Sequence, residues 1–127
     1  MIDTPTRGAL WRRWAVAVFA AAMGCILVIA LLPGGGGPDW FPQADKLRHA
    51  SAFIALWALG SRVPRLTPWR LVAVLLAFGA GIEVAQSFTT WREASVLDWV
   101  ADAAGVAVGA LLLRFPQDAS HMNTAGN

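Results

Sequence analysis

The stretch WAVAVFAAAMGCILVIALL, from Trp14 to Leu32, carries no charged residue and ends at Pro33. A helix over these residues is long enough to cross the hydrocarbon core of a bilayer, which takes roughly 20 residues at about 1.5 Å each. Arg7, Arg12 and Arg13 precede it, a pattern also found in signal peptides. The apolar run is too long for a signal core, however, and lacks small residues for cleavage at its end. We therefore expect an uncleaved first membrane span.

The composition of the whole chain agrees with this interpretation. Of its 127 residues, 57% are hydrophobic and 14% are charged, and the mean hydropathy is +0.53. A soluble domain of this size would need more polar surface. The net charge of +2 does not indicate nucleic-acid binding, because the basic residues form no stripe interleaved with aromatics. The single cysteine, Cys25, allows no internal disulfide, and we expect it to be a buried small apolar residue.

Proline and glycine residues divide the chain into four apolar segments. No stretch alternates polar and apolar residues at period two, which argues against strands. The sequence thus predicts an all-α integral membrane bundle of about four transmembrane helices, with an N-terminal segment at 1–13, the bundle at 14–115 and a polar tail at 116–127. The predicted spans are Trp14–Leu32, Ala44–Ser61, Trp69–Phe88 and Val96–Phe115.

The distribution of basic residues predicts the orientation of these spans. With a cytoplasmic N-terminus, seven basic residues lie inside and only Lys46, Arg48 and Arg92 lie outside, as the positive-inside rule requires. The seven are Arg7, Arg12, Arg13, Arg62, Arg65, Arg70 and Arg114. We expect a multi-pass protein of the cell inner membrane with both termini cytoplasmic.

Polar residues form one stripe on each of the last three spans, as judged by helical spacing. The stripes are Asp45, His49 and Phe53 on the second span, Gly79, Glu83 and Gln86 on the third, and Asp98, Asp102, Gly105 and Gly109 on the fourth. Gly105 and Gly109 are better explained by close helix packing than by ligand contact. Trp57 is expected to fill the interior of the bundle.

All three polar helix ends meet at the same face if consecutive spans alternate in direction. Ionisable groups at the edge of a membrane are costly, so their convergence indicates a joint site. Arg92, in the loop Thr89–Ser95, is the expected partner of Glu83 or Asp98. The alternative is a network of ion pairs and hydrogen bonds that only holds the helices together.

These residues resemble the VanZ-like family of small multi-pass membrane proteins. The resemblance covers Asp45 to Leu113, and it rests on motifs in the order and spacing of that family. These are Asp45-Lys46-x-x-His49 with Phe53, Glu83-x-x-Gln86, Arg92, Asp98 and Gly105-xxx-Gly109. It implies a link to low-level resistance to the glycopeptide teicoplanin, and no defined reaction. Asp102 departs from the pattern, because the family usually has Asn there.

Three classes of function remain open. In the first, Lys46, Arg48 and Arg92 bind an anionic group of an envelope lipid or glycopeptide at the outer face. In the second, the protein is an enzyme acting on a lipid-linked envelope intermediate, with Glu83, Asp98 or His49 as catalytic candidates. In the third, it is a structural or interaction protein. The predicted binding residues are Asp45, Lys46, His49, Glu83, Gln86, Arg92, Asp98 and Asp102.

Metal ligation was weighed against these classes. His49, Glu83 and Asp98 could supply one nitrogen and two oxygen ligands, but no HExxH motif or similar close spacing is present. The sequence therefore predicts no metal centre and no cofactor. The expected partners are membrane lipids and a polyprenyl-linked or glycopeptide ligand, not nucleic acid. His121, in the tail, is expected to be a solvated residue.

Overall fold

The computed structural model describes residues 7–34 and 43–113. These residues form four helices, α1 Arg7–Leu31, α2 Ala44–Gly60, α3 Pro68–Ser87 and α4 Val96–Leu112, and they contain no strand. The predicted all-α fold is thereby confirmed. Residues 1–6, 35–42 and 114–127, with Arg114 and His121 among them, lie outside the described residues.

The helix ends follow the predicted breakers closely. α3 begins with Pro68 in its first turn, where the missing amide proton costs no helical hydrogen bond. α2 ends one residue before the predicted boundary, at Gly60, and α3 ends one residue early, at Ser87. α1 differs most, since it extends through the basic segment to Arg7.

The central interface joins α2 and α4, which share the most extensive contacts of the bundle. Two glycines permit this approach. A Cβ at Gly105 would collide with the backbone carbonyl of Ala50, and one at Gly109 would lie 2.8 Å from Cβ of Trp57. Trp57 is 3% exposed and donates from Nε1 to the carbonyl of Leu113 at 3.2 Å. The predictions of close packing at the two glycines and of a bundle-filling tryptophan are confirmed.

α1 and α3 pack beside this pair. A core of apolar side chains joins the helices: Phe19, Phe53, Leu56, Trp57, Leu71, Leu75, Ile82 and Val106. Phe19 is the buried residue of α1, so this helix meets the bundle over a narrow face. Cys25 is exposed on its other side, and the expectation that Cys25 is buried is wrong.

The helices alternate in direction, as shown by contacts between their ends. Gln86, near the end of α3, donates from Nε2 to the carbonyl of Ala30 at 3.0 Å. Trp91, in the loop after α3, donates from Nε1 to the carbonyl of Leu31 at 3.1 Å. These contacts place the C-termini of α1 and α3 at one end of the bundle. The ion pairs of Arg92 with Asp45 and of Lys46 with Asp98 place the N-termini of α2 and α4 at the same end.

Among the four described helices, α1 and α3 are long and apolar enough to cross a membrane by length and composition. Their apolar windows are only 17% and 28% buried inside the bundle. α2 and α4 have 17 residues each. Large apolar side chains cover much of the exterior, including Phe88 at 84%, Leu111 at 81% and Trp69 at 67% exposure.

Candidate functional site

A group of charged side chains surrounds the end of the bundle where α2 and α4 begin. We call Asp45, Lys46, Arg48, Arg92 and Asp98 the ionic rim. Lys46 Nζ lies 3.6 Å from Asp98 Oδ1, which connects α2 to α4. Asp45 Oδ1 is shared by Arg48 Nη2 at 3.4 Å and Arg92 Nη1 at 3.8 Å. The rim thus combines three cations with two carboxylates.

Helix geometry explains the positions of the two rim carboxylates. Asp45 lies in the first turn of α2 and Asp98 in the first turn of α4. A carboxylate is favoured there by the partial positive charge of the unpaired amides, by about 0.3–1 kcal/mol at an exposed site. Lys46, the partner of Asp98, lies in the first turn of α2, and Arg92, a partner of Asp45, lies in the loop after α3.

One helical turn deeper, three further ionisable residues converge. We call His49, Glu83 and Asp102 the buried triad. Their exposed fractions are 9%, 9% and 0%. His49 Nδ1 and Asp102 Oδ1 share a hydrogen bond at 2.9 Å, and one ligand atom from each of the three residues lies within 4.8 Å of the others. Because each residue comes from a different helix, the fold itself assembles the triad.

Glu83 has a backbone partner that the sequence did not reveal. Its Oε2 accepts a hydrogen bond from the amide of Ser95 at 2.6 Å, immediately before α4. Its Oε1 is buried and has no hydrogen-bond partner. Arg92 contacts Asp45 and, through Nε at 3.4 Å, the carbonyl of Ala30. The expected pairing of Arg92 with Glu83 or Asp98 is therefore wrong, because the loop directs Arg92 towards α1 and α2.

Gly79 provides the space that Asp102 occupies. A Cβ at residue 79 would lie 2.7 Å from Asp102 Oδ2 and 3.3 Å from Phe53 and Trp99. Asp102 Oδ2 therefore lies against α3, one turn before Glu83. Like Glu83 Oε1, it is buried and has no hydrogen-bond partner.

Gln86 was predicted to belong to the site, and its side chain lies beside it. It is 2% exposed, and its amide nitrogen bonds to the backbone of α1 at Ala30. This contact holds α1 against α3. The structure therefore gives Gln86 a packing contact and leaves its Oε1 as a buried atom without a hydrogen-bond partner.

A cleft of about 230 Å³ opens between α3, α4 and their connecting loop. It is lined by Ala80, Glu83, Ala94, Ser95, Val96 and Trp99. Glu83 is the only ionisable residue among them, so a molecule in this cleft would meet one carboxyl group on otherwise small or apolar walls. Sequence reasoning missed this cleft, because Glu83 is the only residue of its walls that belongs to a motif.

The structure brings His49, Glu83 and Asp98 to the same end of the bundle. His49 belongs to two sets of candidate metal ligands, Asp45–His49–Asp98 and His49–Glu83–Asp102, and the ligand atoms in each set lie within 4.8 Å of one another. Either set offers one imidazole nitrogen and two carboxylate oxygens. Such groups can accept or donate protons, or hold a cation.

The chain was compared with protein families, with curated proteins and with solved structures. None of these comparisons finds a match.

Proposed function

We propose that all four helices span the inner membrane, with both termini cytoplasmic. Support comes from the charges at the two ends of the bundle. At the end opposite the ionic rim lie the basic residues Arg7, Arg12, Arg13, Arg62, Arg65 and Arg70, and an excess of such residues marks the cytoplasmic side. With 17 residues each, α2 and α4 are at the lower limit of the usual spanning length, roughly 17–25 residues.

We further propose that the ionic rim binds the anionic headgroup of an envelope lipid or glycopeptide. The observation that supports this is the meeting of Lys46, Arg48 and Arg92 at one end of the bundle, where Asp45 is shared by the two guanidinium groups. The N–O distances of 3.4 Å and 3.8 Å exceed the roughly 2.7–2.9 Å of a strong charge-assisted hydrogen bond. A phosphate or carboxylate beside Arg92 would offer its guanidinium group a shorter contact.

The resemblance to the VanZ-like family supports the same proposal. Asp45, Lys46 and His49 of its first motif, together with Arg92 and Asp98, belong to the rim or to the buried triad. That resemblance makes teicoplanin a ligand to test. Polyprenyl phosphate is the second ligand, since it combines an anionic headgroup with a membrane-soluble chain.

The experiment measures binding to the protein in nanodiscs of zwitterionic lipid. Polyprenyl phosphate should bind and polyprenol, which has the same chain without the phosphate, should not. Arg92→Gln should weaken binding at least about tenfold, because hydrogen bonds to charged groups contribute about 1.5–3 kcal/mol. Arg70→Gln is the matched control at the opposite end of α3 and should leave the affinity unchanged.

Equal binding of polyprenol and polyprenyl phosphate would contradict an anionic headgroup site. The same assay with teicoplanin tests the glycopeptide alternative. Loss of affinity in Arg70→Gln as large as in Arg92→Gln would show a general effect of charge rather than a site at the rim.

A second candidate function is catalysis on a lipid-linked envelope intermediate. It is favoured by the hydrogen bond between His49 and Asp102 beside Glu83, which lines an open cleft. A carboxylate fixes the tautomer and orientation of an imidazole and so prepares it for general acid–base chemistry. Chemical conversion of the bound lipid by the wild type, lost in Glu83→Gln, would establish the enzyme. Binding without conversion would favour the binding role.

A further inference from the structure

The two layers of the polar cluster differ in how their carboxylates are neutralised. In the rim, Asp45 contacts two arginines and Asp98 contacts Lys46. In the buried triad, Glu83 and Asp102 contact no lysine or arginine within residues 7–34 and 43–113. Two buried carboxylates with a single imidazole as their only possible counter-charge in this part of the chain are unfavourable unless they bind a proton or a cation.

Two orphaned oxygens indicate where a cation would lie. Glu83 Oε1 and Asp102 Oδ2 are buried and have no hydrogen-bond partner, in side chains that are 9% and 0% exposed. Asp102 Oδ2 lies against Gly79, one turn from Glu83 on the same helix. Buried carboxylate oxygens are otherwise paired in folded proteins, so this pair calls for a ligand.

The spacing of the triad suits a metal ion. Ligands at about 2.0–2.2 Å from zinc lie roughly 3–3.5 Å from one another. His49 Nδ1 and Asp102 Oδ1 are slightly closer than this, at 2.9 Å, and all three ligand atoms lie within 4.8 Å of one another. Small side-chain rotations would therefore complete the coordination.

We infer that His49, Glu83 and Asp102 form a binding site for a divalent transition-metal ion, with one imidazole nitrogen and two carboxylate oxygens as ligands. The imidazole favours zinc or iron over calcium and magnesium, and the two carboxylates also suit manganese. The site lies at the open cleft through Glu83, so the remaining coordination positions can hold water or a ligand. The inference is independent of which headgroup the rim binds.

The other candidate set, Asp45–His49–Asp98, is less suitable. Its two carboxylates lie beside Lys46, Arg48 and Arg92, and these cations would repel a divalent ion. The sequence predicted no metal centre, because the metal-binding motifs that can be recognised in a sequence have their ligands close together in the chain. Here the three ligands come from three helices.

Pulsed electron paramagnetic resonance with Mn²⁺ tests the imidazole ligand in the intact protein. The chain has two histidines, so it must be purified with a tag that contains none. We expect nitrogen coupling from a bound imidazole in the wild type and in His121→Ala, and its loss in His49→Ala. Coupling that disappears in His121→Ala and persists in His49→Ala would overturn the assignment.

Zn²⁺ affinity, measured by competition with a chromophoric chelator, tests the carboxylates. Glu83→Gln and Asp102→Asn should each weaken Zn²⁺ binding at least about 100-fold. Loss of an outer group that only hydrogen-bonds to a metal ligand already costs up to about 100-fold in affinity. Glu93→Gln, the same change at an exposed residue of the loop, should bind within about threefold of the wild type by the usual small effect of surface substitutions. Asp45→Asn should have a smaller effect than Glu83→Gln.

Three results would overturn the inference. The first is no saturable binding of Zn²⁺ or Mn²⁺ by the wild type, which would mean that protons alone neutralise the triad. The second is an equal loss of affinity in Glu93→Gln, and the third is a larger loss in Asp45→Asn than in Glu83→Gln. Circular dichroism and thermal melting identify any variant that fails to fold, and the wild-type and His121→Ala spectra decide the imidazole ligand without such variants.

Discussion

His49 of α2 and Asp102 of α4 are joined by a 2.9 Å hydrogen bond at a place where Asp102 is fully buried. This bond crosses the most extensive helix interface of the bundle. It links the stability of the fold to the same residues that form the candidate site.

We expect the two residues to be energetically coupled. Removing one partner leaves the other buried without its hydrogen bond, so His49→Ala and Asp102→Ala should each lower the free energy of unfolding by about 3–5 kcal/mol. The double variant should lose less than the sum, with a coupling energy of about 1–3 kcal/mol. Reversible unfolding in mixed detergent micelles provides the measurement. Ser87→Ala, at an exposed residue that bonds within its own helix, is the control, and a coupling energy near zero would contradict the bond.

The ion pair between Arg92 and Asp45 gives a second prediction. A double-mutant cycle between Arg92→Ala and Asp45→Ala should give a coupling energy of about 0.5–1 kcal/mol, at the upper end for partly exposed ion pairs. The cycle between Arg92→Ala and Glu83→Gln should give almost none, because Glu83 is bound by the Ser95 amide instead. The opposite order of the two energies would show that Arg92 pairs with Glu83.

Glycine substitutions test the helix interface. Gly105→Ala should clearly lower the unfolding temperature in detergent, because the added Cβ collides with the backbone of Ala50. Gly81→Ala is the same change in a helix where a Cβ would meet nothing within 4 Å. It should be neutral or stabilising, by up to about 1 kcal/mol, as alanine favours helices over glycine. Equal effects of the two changes would argue against close packing at Gly105.

Orientation can be tested by cysteine labelling in cells. Cys25 is the only cysteine, so Cys25→Ser provides a background for single-cysteine variants at two exposed loop residues. Thr90→Cys should react with an impermeant thiol reagent from outside the cell, and Thr67→Cys only after permeabilisation. The reversed pattern would put the ionic rim on the cytoplasmic side.

Much of the fold can be predicted from the helix-breaking proline and glycine residues of the chain. Pro68 and the Gly60 region mark helix ends in the structure, and an alternating order of helices suffices to bring His49, Glu83 and Asp98 together. These inferences succeed because they depend on helix length and period alone, which local sequence determines.

The remaining details depend on tertiary contacts that local sequence does not encode. From Trp14 onwards α1 is apolar all round, so nothing in its sequence could indicate that Phe19 faces the bundle and Cys25 faces away. The partner of Glu83 is a backbone amide, which every residue but proline carries. The length of Arg92 allows several acidic partners, and only the course of the loop selects Asp45.

The space that Gly79 leaves for Asp102 has a consequence for the evolution of this chain. A larger residue at position 79 would meet the carboxylate at 2.7 Å, so the two positions cannot change independently. We expect homologues with alanine or serine at position 79 to carry a shorter side chain at position 102, and so to lose the third member of the triad. A side chain at position 79 of a relative would then indicate that the relative lacks the acid at position 102.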